Sequence, residues 1–169
     1  MNKLAIALTA ALSLGAAASA SAADATINFS GEIKALTCTI SAGASGTSVT
    51  MPTLSAAVIN GGTGARQQDF TIQMGASGGS CDAGTYILSF NGANLEEGRL
   101  KKTTGTADNV ELAILEGGTE VDLRTHTITR DLATAGSISI PLVAKYEKAA
   151  AGDASNGTFN TGLEVFVQY

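Results

Sequence analysis

The two cysteines, Cys38 and Cys81, are the side chains of this sequence best suited to form a covalent link. An even number of cysteines in an exported chain points to a disulfide. Closing a loop of about 43 residues contributes about 4 kcal/mol to stability in the chain-entropy model. The alternatives are two free thiols or half of a metal site. A metal site is disfavoured because the chain has one histidine, His126, and no CxxC pair.

Residue types that serve catalysis are present, but they lack the arrangement that catalysis requires. His126 lies among polar residues typical of an exposed strand or loop. Glu96-Glu97 is followed by glycine and arginine, which is typical of a solvated turn rather than an acid–base pair. The glycine-rich residues 61–64 lack the lysine and the following helix of a phosphate loop. Residues 78–80 lack the strand-to-helix elbow of a hydrolase nucleophile. The sequence therefore predicts a protein that is not an enzyme and that binds no cofactor or metal.

The first 22 residues have the pattern of a secretory signal peptide. A basic start at Lys3 is followed by an apolar run, residues 4–14, and by an A-x-A cleavage site at Ala20 and Ala22. A membrane anchor is disfavoured because polar residues interrupt a run that would need about 20 apolar residues. Cleavage after Ala22 leaves 147 residues with a net charge of −6. That length fits one domain, and the acidity argues against nucleic acid as a partner.

The composition favours an all-β, turn-rich chain: tryptophan is absent, aromatic residues make up 5%, and there are 20 glycines. Apolar residues alternate with polar ones in several runs, which is the period of half-buried β-strands. The clearest runs are Phe70, Ile72 and Met74; Tyr86, Leu88 and Phe90; Val110, Leu112 and Ile114; and Ile138, Ile140, Leu142, Ala144 and Tyr146. Seven or eight strands and no convincing helix predict an immunoglobulin-like β-sandwich.

Four local features complete this prediction. Residues 49–51 have the pattern of a short strand, and residues 96–102 that of a charged, solvated loop. Residues 117–118 are a Gly-Gly turn, after which residues 121–123 return as a hairpin partner. Pro141 lies within a predicted strand. Because proline has no amide hydrogen, its position must be unpaired, at a sheet edge or at a strand switch.

The N-terminal run changes phase part-way along. Ile27, Phe29 and Ile33, with Gly31, lie on odd positions, whereas Leu36, Cys38 and Ile40 lie on even positions. A one-residue slip turns every later side chain to the opposite face of a sheet. The run therefore indicates two consecutive strands, of which the first has no obvious place in its own core. The alternative is one ordinary first strand with a bulge at residues 34–36.

The C-terminal run keeps one phase over thirteen residues, from Gly157 to Tyr169, and predicts a long apolar strand. An open edge on such a strand is an aggregation hazard, and no later residues exist in this sequence to cover it. Exchange is one solution, in which the N-terminal run of one molecule completes the sheet of the next. Contacts of this head-to-tail kind generate filaments.

These features are arranged as in a known family, since the chain resembles the pilins of the chaperone–usher pathway, close to type 1-like major fimbrial subunits. Four features carry the resemblance. Residues 26–33 are similar to the family's donor strand, with a glycine seven residues before the first cysteine, and the separation of Cys38 and Cys81 fits the family's single disulfide. Residues 140–146 are similar to the family's I-P-F-x-A-R-Y stretch. Residues 157–169 are similar to the strand that the chaperone recognises.

The resemblance implies an incomplete immunoglobulin-like sandwich that lacks its last strand and is completed by a donor strand from another subunit. It divides the chain into a signal peptide (1–22), a donor-strand extension (23–35) and a pilin domain (36–169). The implied donor-strand residues are Ile27, Phe29, Gly31 and Ile33. The implied groove-lining residues of the C-terminal strand are Gly157, Phe159, Leu163, Val165, Val167 and Tyr169.

The resemblance also implies the partners and the location. The partners are identical subunits in a homopolymer, other pilus subunits, a periplasmic chaperone whose basic residues hold the terminal carboxylate, and the outer-membrane usher. The subunit would pass through the periplasm into a fimbria on a Gram-negative cell and support adhesion to surfaces or host cells. The alternatives are a minor, adaptor or adhesive fimbrial subunit, or a monomeric exported immunoglobulin-like binding module.

Two residues depart from the family's pattern. Tyr169 is the last residue, where many relatives have tyrosine in the penultimate position. Phe166 stands where a polar, outward-facing residue is usual, so its ring faces either a partner or nearby loop surface.

Overall fold

The computed structural model of the chain describes Ser30 and residues 38–42, 48–75 and 80–169. The predicted signal peptide lies outside the described residues, and so does the predicted donor-strand extension apart from the exposed Ser30. The fold reported below is that of the compact unit Ala35–Tyr169.

The described residues form ten β-strands and one short helix. In chain order these are β1 Ile40–Ala42, α1 Ala56–Asn60, β2 Gln67–Met74, β3 Gly84–Asn91, β4 Leu95–Glu96, β5 Arg99–Lys101, β6 Val110–Glu116, β7 Thr119–Glu120, β8 Thr127–Leu132, β9 Ile138–Lys148 and β10 Glu164–Gln168. The larger sheet has seven strands in the order β1-β2-β9-β6-β5-β4, with β7 paired to β6. The smaller sheet has the order β10-β3-β8.

Inward-facing side chains of the two sheets share one apolar core. The larger sheet contributes Ile72, Ile114 and Ile140, and the smaller sheet contributes Leu88 and Ile128, all at most 2% exposed. Their polar neighbours along each strand face outward, as the alternating sequence pattern requires. The predicted all-β sandwich is confirmed, and so are the predicted strands at β2, β3, β6 and β9.

The position of Pro141 agrees with its missing amide hydrogen. On one side of β9, Pro141 lies in register with Thr71 of β2. On the other side, β9 pairs with β6 only from Val143 onward. Pro141 therefore lies beyond the end of β6 and is unpaired on that side only, and β9 is a central strand rather than the predicted edge strand.

Residues 96–102 form a hairpin rather than the predicted solvated loop. β4 and β5 pair around Glu97 and Gly98, which have positive φ values of 48° and 87°. The charged Arg99 lies on the outside and forms an ion pair with Glu120 (2.6 Å), whereas Leu100 is buried. With a single buried apolar residue on β5, the segment shows no alternating pattern in the sequence.

Three smaller differences from the sequence-based expectation concern short elements. Residues 49–51 belong to no described strand. A five-residue helix, α1, is present, and its Ile59 packs in a small apolar cluster with Val110 and Ala154. β8 was not expected, because Ile128 is its one fully buried apolar residue.

The C-terminal strand is shorter than the thirteen residues predicted, because the chain first pairs with another part of the molecule. The amide of Asn160 donates to the carbonyl of Thr104 (2.9 Å), and the amide of Thr106 donates to the carbonyl of Thr158 (2.9 Å). Only from Glu164 does the chain pair with β3. Gly157 lies so close to residues 106 and 107 that a Cβ atom there would overlap their backbone.

The predicted disulfide between Cys38 and Cys81 is confirmed, with Cα atoms 4.7 Å apart and both residues buried. It joins the segment before β1 of the larger sheet to the segment before β3 of the smaller sheet. Gly75, with φ +75°, lies against it. A Cβ atom at Gly75 would come within 2.7 Å of the carbonyl oxygen of Gly136 and 3.1 Å of the Cys81 sulfur. Both the backbone conformation and the space therefore require glycine.

Candidate functional site

A groove of about 730 Å³ runs between the edge strands of the two sheets. Within the described part of the chain, β1 pairs only with β2, and β10 pairs only with β3. Ile40 of β1 lines one side of the groove, and Val165 of β10 lines the other. The sandwich is therefore unclosed between these strands, and the groove opens onto its core.

The groove has an apolar floor, and its rim combines apolar side chains with uncharged polar residues such as Ser41, Thr50 and Asn160. Ile72, Leu100 and Ile114 lie deepest and are at most 2% exposed. The apolar side chains of the rim are half-buried and also pack against the core: Ile40, Met51, Phe70, Tyr146, Phe159, Leu163 and Val165. No charged side chain is found among the described residues that line the groove. Such a surface favours an uncharged, apolar occupant, because an unpaired charge is costly to bury.

The two faces of β10 differ in chemistry. Val165 and Val167 are half-buried and pack against the core, while Glu164, Phe166 and Gln168 face outward and are exposed. β10 pairs with β3 antiparallel, with Val165 in register with Phe90. Its other edge bounds the groove, where a further strand can hydrogen-bond to its backbone.

A small polar network holds the rim where the chain enters β10. The side-chain amide of Asn94 donates to the hydroxyl of Thr161 (2.7 Å) and to the carbonyl of Gly162 (3.0 Å). The Thr161 hydroxyl in turn donates to the carbonyl of Lys101 (2.6 Å). These bonds fix the bend between residues 158–160, which pair with residues 103–107, and β10. Sequence reasoning missed Asn94, since its partners lie 67 and 68 residues away.

Phe159 and Tyr146 belong to the rim at the same end of the groove. Their rings make a T-shaped contact, with centroids 5.6 Å apart and an interplanar angle of 87°. Burial raises the pKa of the Tyr146 hydroxyl above its usual value. Both rings are rigid, so they present a preformed apolar surface rather than one that must be ordered on binding.

The structure brings together some of the predicted groove residues and separates others. Phe159, Leu163 and Val165 line the groove. Val167 packs against the core, Gly157 contacts residues 106–107, and the ring of Tyr169 lies 6.2 Å from that of Tyr86. The predicted donor-strand residues Ile27, Phe29, Gly31 and Ile33 lie outside the described residues.

The side chain of His126 is held by contacts with Glu116 and Phe90. Its Nε2 lies 2.8 Å from Oε2 of Glu116, and its ring stacks on Phe90 with centroids 6.4 Å apart. Arg130 donates to the other oxygen of Glu116 (3.0 Å). Burial raises the pKa of Glu116, but the hydrogen bonds from His126 and Arg130 outweigh burial and leave that pKa below its usual value. This cluster links β6 to β8, on the side of the smaller sheet opposite to β10.

In the described ranges, no group of three or more histidine, cysteine, aspartate or glutamate side chains could hold a metal ion. No helix in those ranges is long and apolar enough to cross a membrane.

Comparison with known proteins identifies relatives of this fold. Residues 27–169 match the family model described as "Fimbrial protein". The chain is similar to the crystal structure of the P pilus rod subunit PapA, with a TM-score of 0.61, 21% identity, and coverage of 79% of this chain and 99% of that one. It is also similar to a chain from a structure of a chaperone–usher pilus that addresses rod uncoiling, with a TM-score of 0.60, 20% identity, and coverage of 87% and 96%. A comparison with curated protein sequences finds no significant match.

At these identities the solved structures establish the fold alone, and they confirm an immunoglobulin-like sandwich that lacks a strand. The family match covers most of the sequence, including the groove, the disulfide and β10. The chain therefore belongs to the fimbrial protein family, which is a family of structural subunits rather than enzymes.

Proposed function

We infer that this subunit polymerises by donor-strand exchange, in which residues 23–35 of one copy fill the groove of the next. One observation carries the proposal: a groove with an apolar floor and no charged residue among the described residues of its lining lies between the edge strands β1 and β10. The chain contains a segment that fits such a groove. Its residues Ile27, Phe29, Gly31 and Ile33 form one uncharged face, and its charged residues lie on the other.

The inserted segment would be held by two kinds of interaction. Burial of Ile27, Phe29 and Ile33 contributes roughly 5–9 kcal/mol before the cost of ordering the segment. Backbone hydrogen bonds to β10 add about 1 kcal/mol each. Gly31 has no side chain, so the backbone of the segment can approach the groove closely at this position. The segment runs antiparallel to β10, because antiparallel pairing is the more stable arrangement and all strand pairs among the described residues have it.

The exchange contact is head-to-tail, because the donating segment and the accepting groove are different surfaces of the same chain. Such contacts do not close on themselves and produce an open fibre of identical subunits, which other pilus subunits can join through the same contact. A long-lived contact of this kind suits a fibre outside the cell that supports adhesion to surfaces or host cells.

An unassembled subunit needs protection, because a bare apolar edge at β10 would template aggregation. We assign this protection to a periplasmic chaperone, which lends a strand to the groove and holds the terminal carboxylate with basic residues. At the outer-membrane usher the N-terminal segment of the incoming subunit replaces the chaperone strand. The subunit then leaves the periplasm as part of the fimbria on a Gram-negative cell.

The test separates the groove from the segment that fills it. The mature chain is expressed without residues 23–35, and those residues are supplied as a synthetic peptide. Because a ligand that binds only the folded state stabilises it, we expect a large rise in the unfolding temperature on adding the peptide. A peptide with Phe29→Asp serves as the matched control and should give little or no rise.

A truncated domain that is already stable and does not respond to the peptide would contradict donor-strand exchange. That result would instead favour a monomeric immunoglobulin-like module with a complete sandwich.

A further inference from the structure

A second surface on β10 carries an unexplained apolar side chain. Among the described residues, Phe166 and Tyr169 are the large apolar residues with exposed side chains, at 52% and 46%. Phe166 lies on the outer face of the smaller sheet, opposite to the groove. It forms one wall of a cleft of about 570 Å³ whose other lining residues include Ser89, Asn91, Leu95 and Arg124.

The cleft lies toward one end of β10. Phe166 is in register with Ser89, and Glu164, the first residue of β10, is in register with Asn91. Phe90 lies between Ser89 and Asn91, and the other lining residues follow Asn91 or lie in the turn at Arg124. The cleft therefore extends from the middle of β10 toward the residue at which β10 begins.

The chain between the donor segment and its own domain is short, and this length limits how far the donating domain can lie from the start of β10 in the accepting copy. If the segment pairs antiparallel with β10, its C-terminal residue, Ile33, lies where β10 begins. Ile33 and Cys38 are five residues apart, so a fully extended chain between them spans at most about 17 Å. Cys38 is fixed to its own domain by the disulfide with Cys81. The donating copy must therefore place its domain close to the end of the accepting sandwich that carries the cleft.

We propose that the cleft bounded by Phe166 and Arg124 receives the domain of the neighbouring copy, the same copy that donates the strand. This inference rests on the proposed donor-strand exchange. The surface that enters is the part of the neighbour around its Cys38–Cys81 disulfide, where Asp82 is exposed. The Arg124 guanidinium is already bound to Asp122 (2.6 Å), so the exposed Phe166 ring rather than a free charge carries the contact. The contact joins two different surfaces of the chain, so it repeats at every joint of the fibre.

Site-specific photo-cross-linking in assembled fibres of the full mature chain tests this inference. Phe166→p-benzoylphenylalanine keeps the shape of the aromatic ring, and the exposed position tolerates the larger group. Gln168→p-benzoylphenylalanine is the matched control, since Gln168 is exposed on the same face of β10 but does not line the cleft. Phe29→p-benzoylphenylalanine reports separately on donor-strand exchange.

After irradiation and boiling in detergent, we expect position 166 to give a covalent dimer in several-fold higher yield than position 168. Mass spectrometry should place the link near residues 80–82 or near Cys38 of the second copy. Position 29 should cross-link to a groove peptide that contains Leu163 or Val165.

The two proposals fail in distinguishable ways. If position 29 cross-links to the groove of another copy but position 166 gives no more dimer than position 168, the cleft does not contact the neighbour and this inference is overturned. The same holds if position 166 cross-links to a different protein in place of a second copy. If position 29 does not cross-link to another copy, donor-strand exchange itself is wrong, and this inference is overturned with it.

Discussion

Val165 and Phe166 are consecutive residues of β10 whose side chains lie on opposite faces of the smaller sheet, Val165 in the groove and Phe166 in solvent. The same substitution at the two positions should therefore have different effects. We expect Val165→Asn to weaken binding of the peptide of residues 23–35 by about 1–3 kcal/mol, because an amide would be buried without a partner. Phe166→Asn should leave the peptide affinity unchanged. Peptide titration followed by thermal unfolding measures both, and an equal loss of affinity in the two variants would show that Val165 does not line the binding site.

Gly31→Asn tests the register of the donor strand. A side chain at this position would hold the donor backbone away from the groove, so we expect the variant to bind the chaperone as a subunit but to form no fibres. Electron microscopy of surface fibres and co-purification with the chaperone give the two readouts. Substitution of Ser30, which lies on the opposite face of the segment, by Asn serves as the control and should leave fibre formation intact. Normal fibres from Gly31→Asn would refute the assigned register.

Gly75→Ala should destabilise the domain more than Gly118→Ala, although both glycines have positive φ values, +75° and +85°. At Gly118 no atom lies within 4 Å of an added Cβ, so only the backbone conformation is penalised, by about 1 kcal/mol. At Gly75 the added atom also meets the carbonyl of Gly136 and the disulfide sulfur, which brings the cost to about 3 kcal/mol. Urea denaturation of the two variants measures the difference. Equal losses of stability would show that the surroundings of the disulfide adjust without cost.

The ion pair between Glu147 and Arg66 (2.8 Å) predicts a specific dependence of stability on pH. Burial raises the pKa of Glu147, but hydrogen bonds from Lys145 and Arg66 outweigh it and leave the pKa below its usual value of 4.5. Because the folded pKa is the lower one, this stabilisation is present above about pH 4.5 and is lost as the pH falls through the folded value.

We therefore expect Glu147→Gln to cost about 3 kcal/mol at pH 7, since it leaves the buried Arg66 without its counter-charge. The cost should shrink as the pH is lowered below about 4.5. Glu120→Gln removes the more exposed partner of Arg99 and should cost at most about 1 kcal/mol at pH 7. Denaturant unfolding at several pH values checks both variants, and a cost for Glu147→Gln that did not change with pH would contradict the assignment.

Long strands with several inward apolar residues could be predicted from the sequence. β2, β6 and β9 each place three or more such residues on one face, and that repetition specifies a half-buried strand. β8 and the β4–β5 hairpin could not be predicted, because each contributes one fully buried side chain, Ile128 or Leu100, to the core. A single apolar residue cannot show the alternation that predicts a strand, so only the tertiary contacts identify these strands.

The groove was predictable in part. The alternation from Phe159 through Leu163 to Val165 predicts a common apolar face, and these three residues lie along the groove. The same alternation does not show that residues 158–160 pair with residues 103–107 whereas β10 pairs with β3. The apolar residues keep the same phase through the bend between the two pairings. The bonds of Asn94 that fix this bend join residues far apart in the sequence, and no local pattern contains them.

In a fibre built by donor-strand exchange, the disulfide would transmit pulling force through each subunit. Tension from one neighbour enters the subunit at β10 and passes through its backbone ladder to β3. Cys81 lies just before β3 and is bonded to Cys38, where the chain leaves toward the next neighbour. Pulling force thus crosses each subunit through one short ladder, loaded in shear, and one covalent bond. The backbone from Cys38 also continues into β1 of the seven-stranded sheet, so the disulfide gives the load a second route that bypasses that sheet.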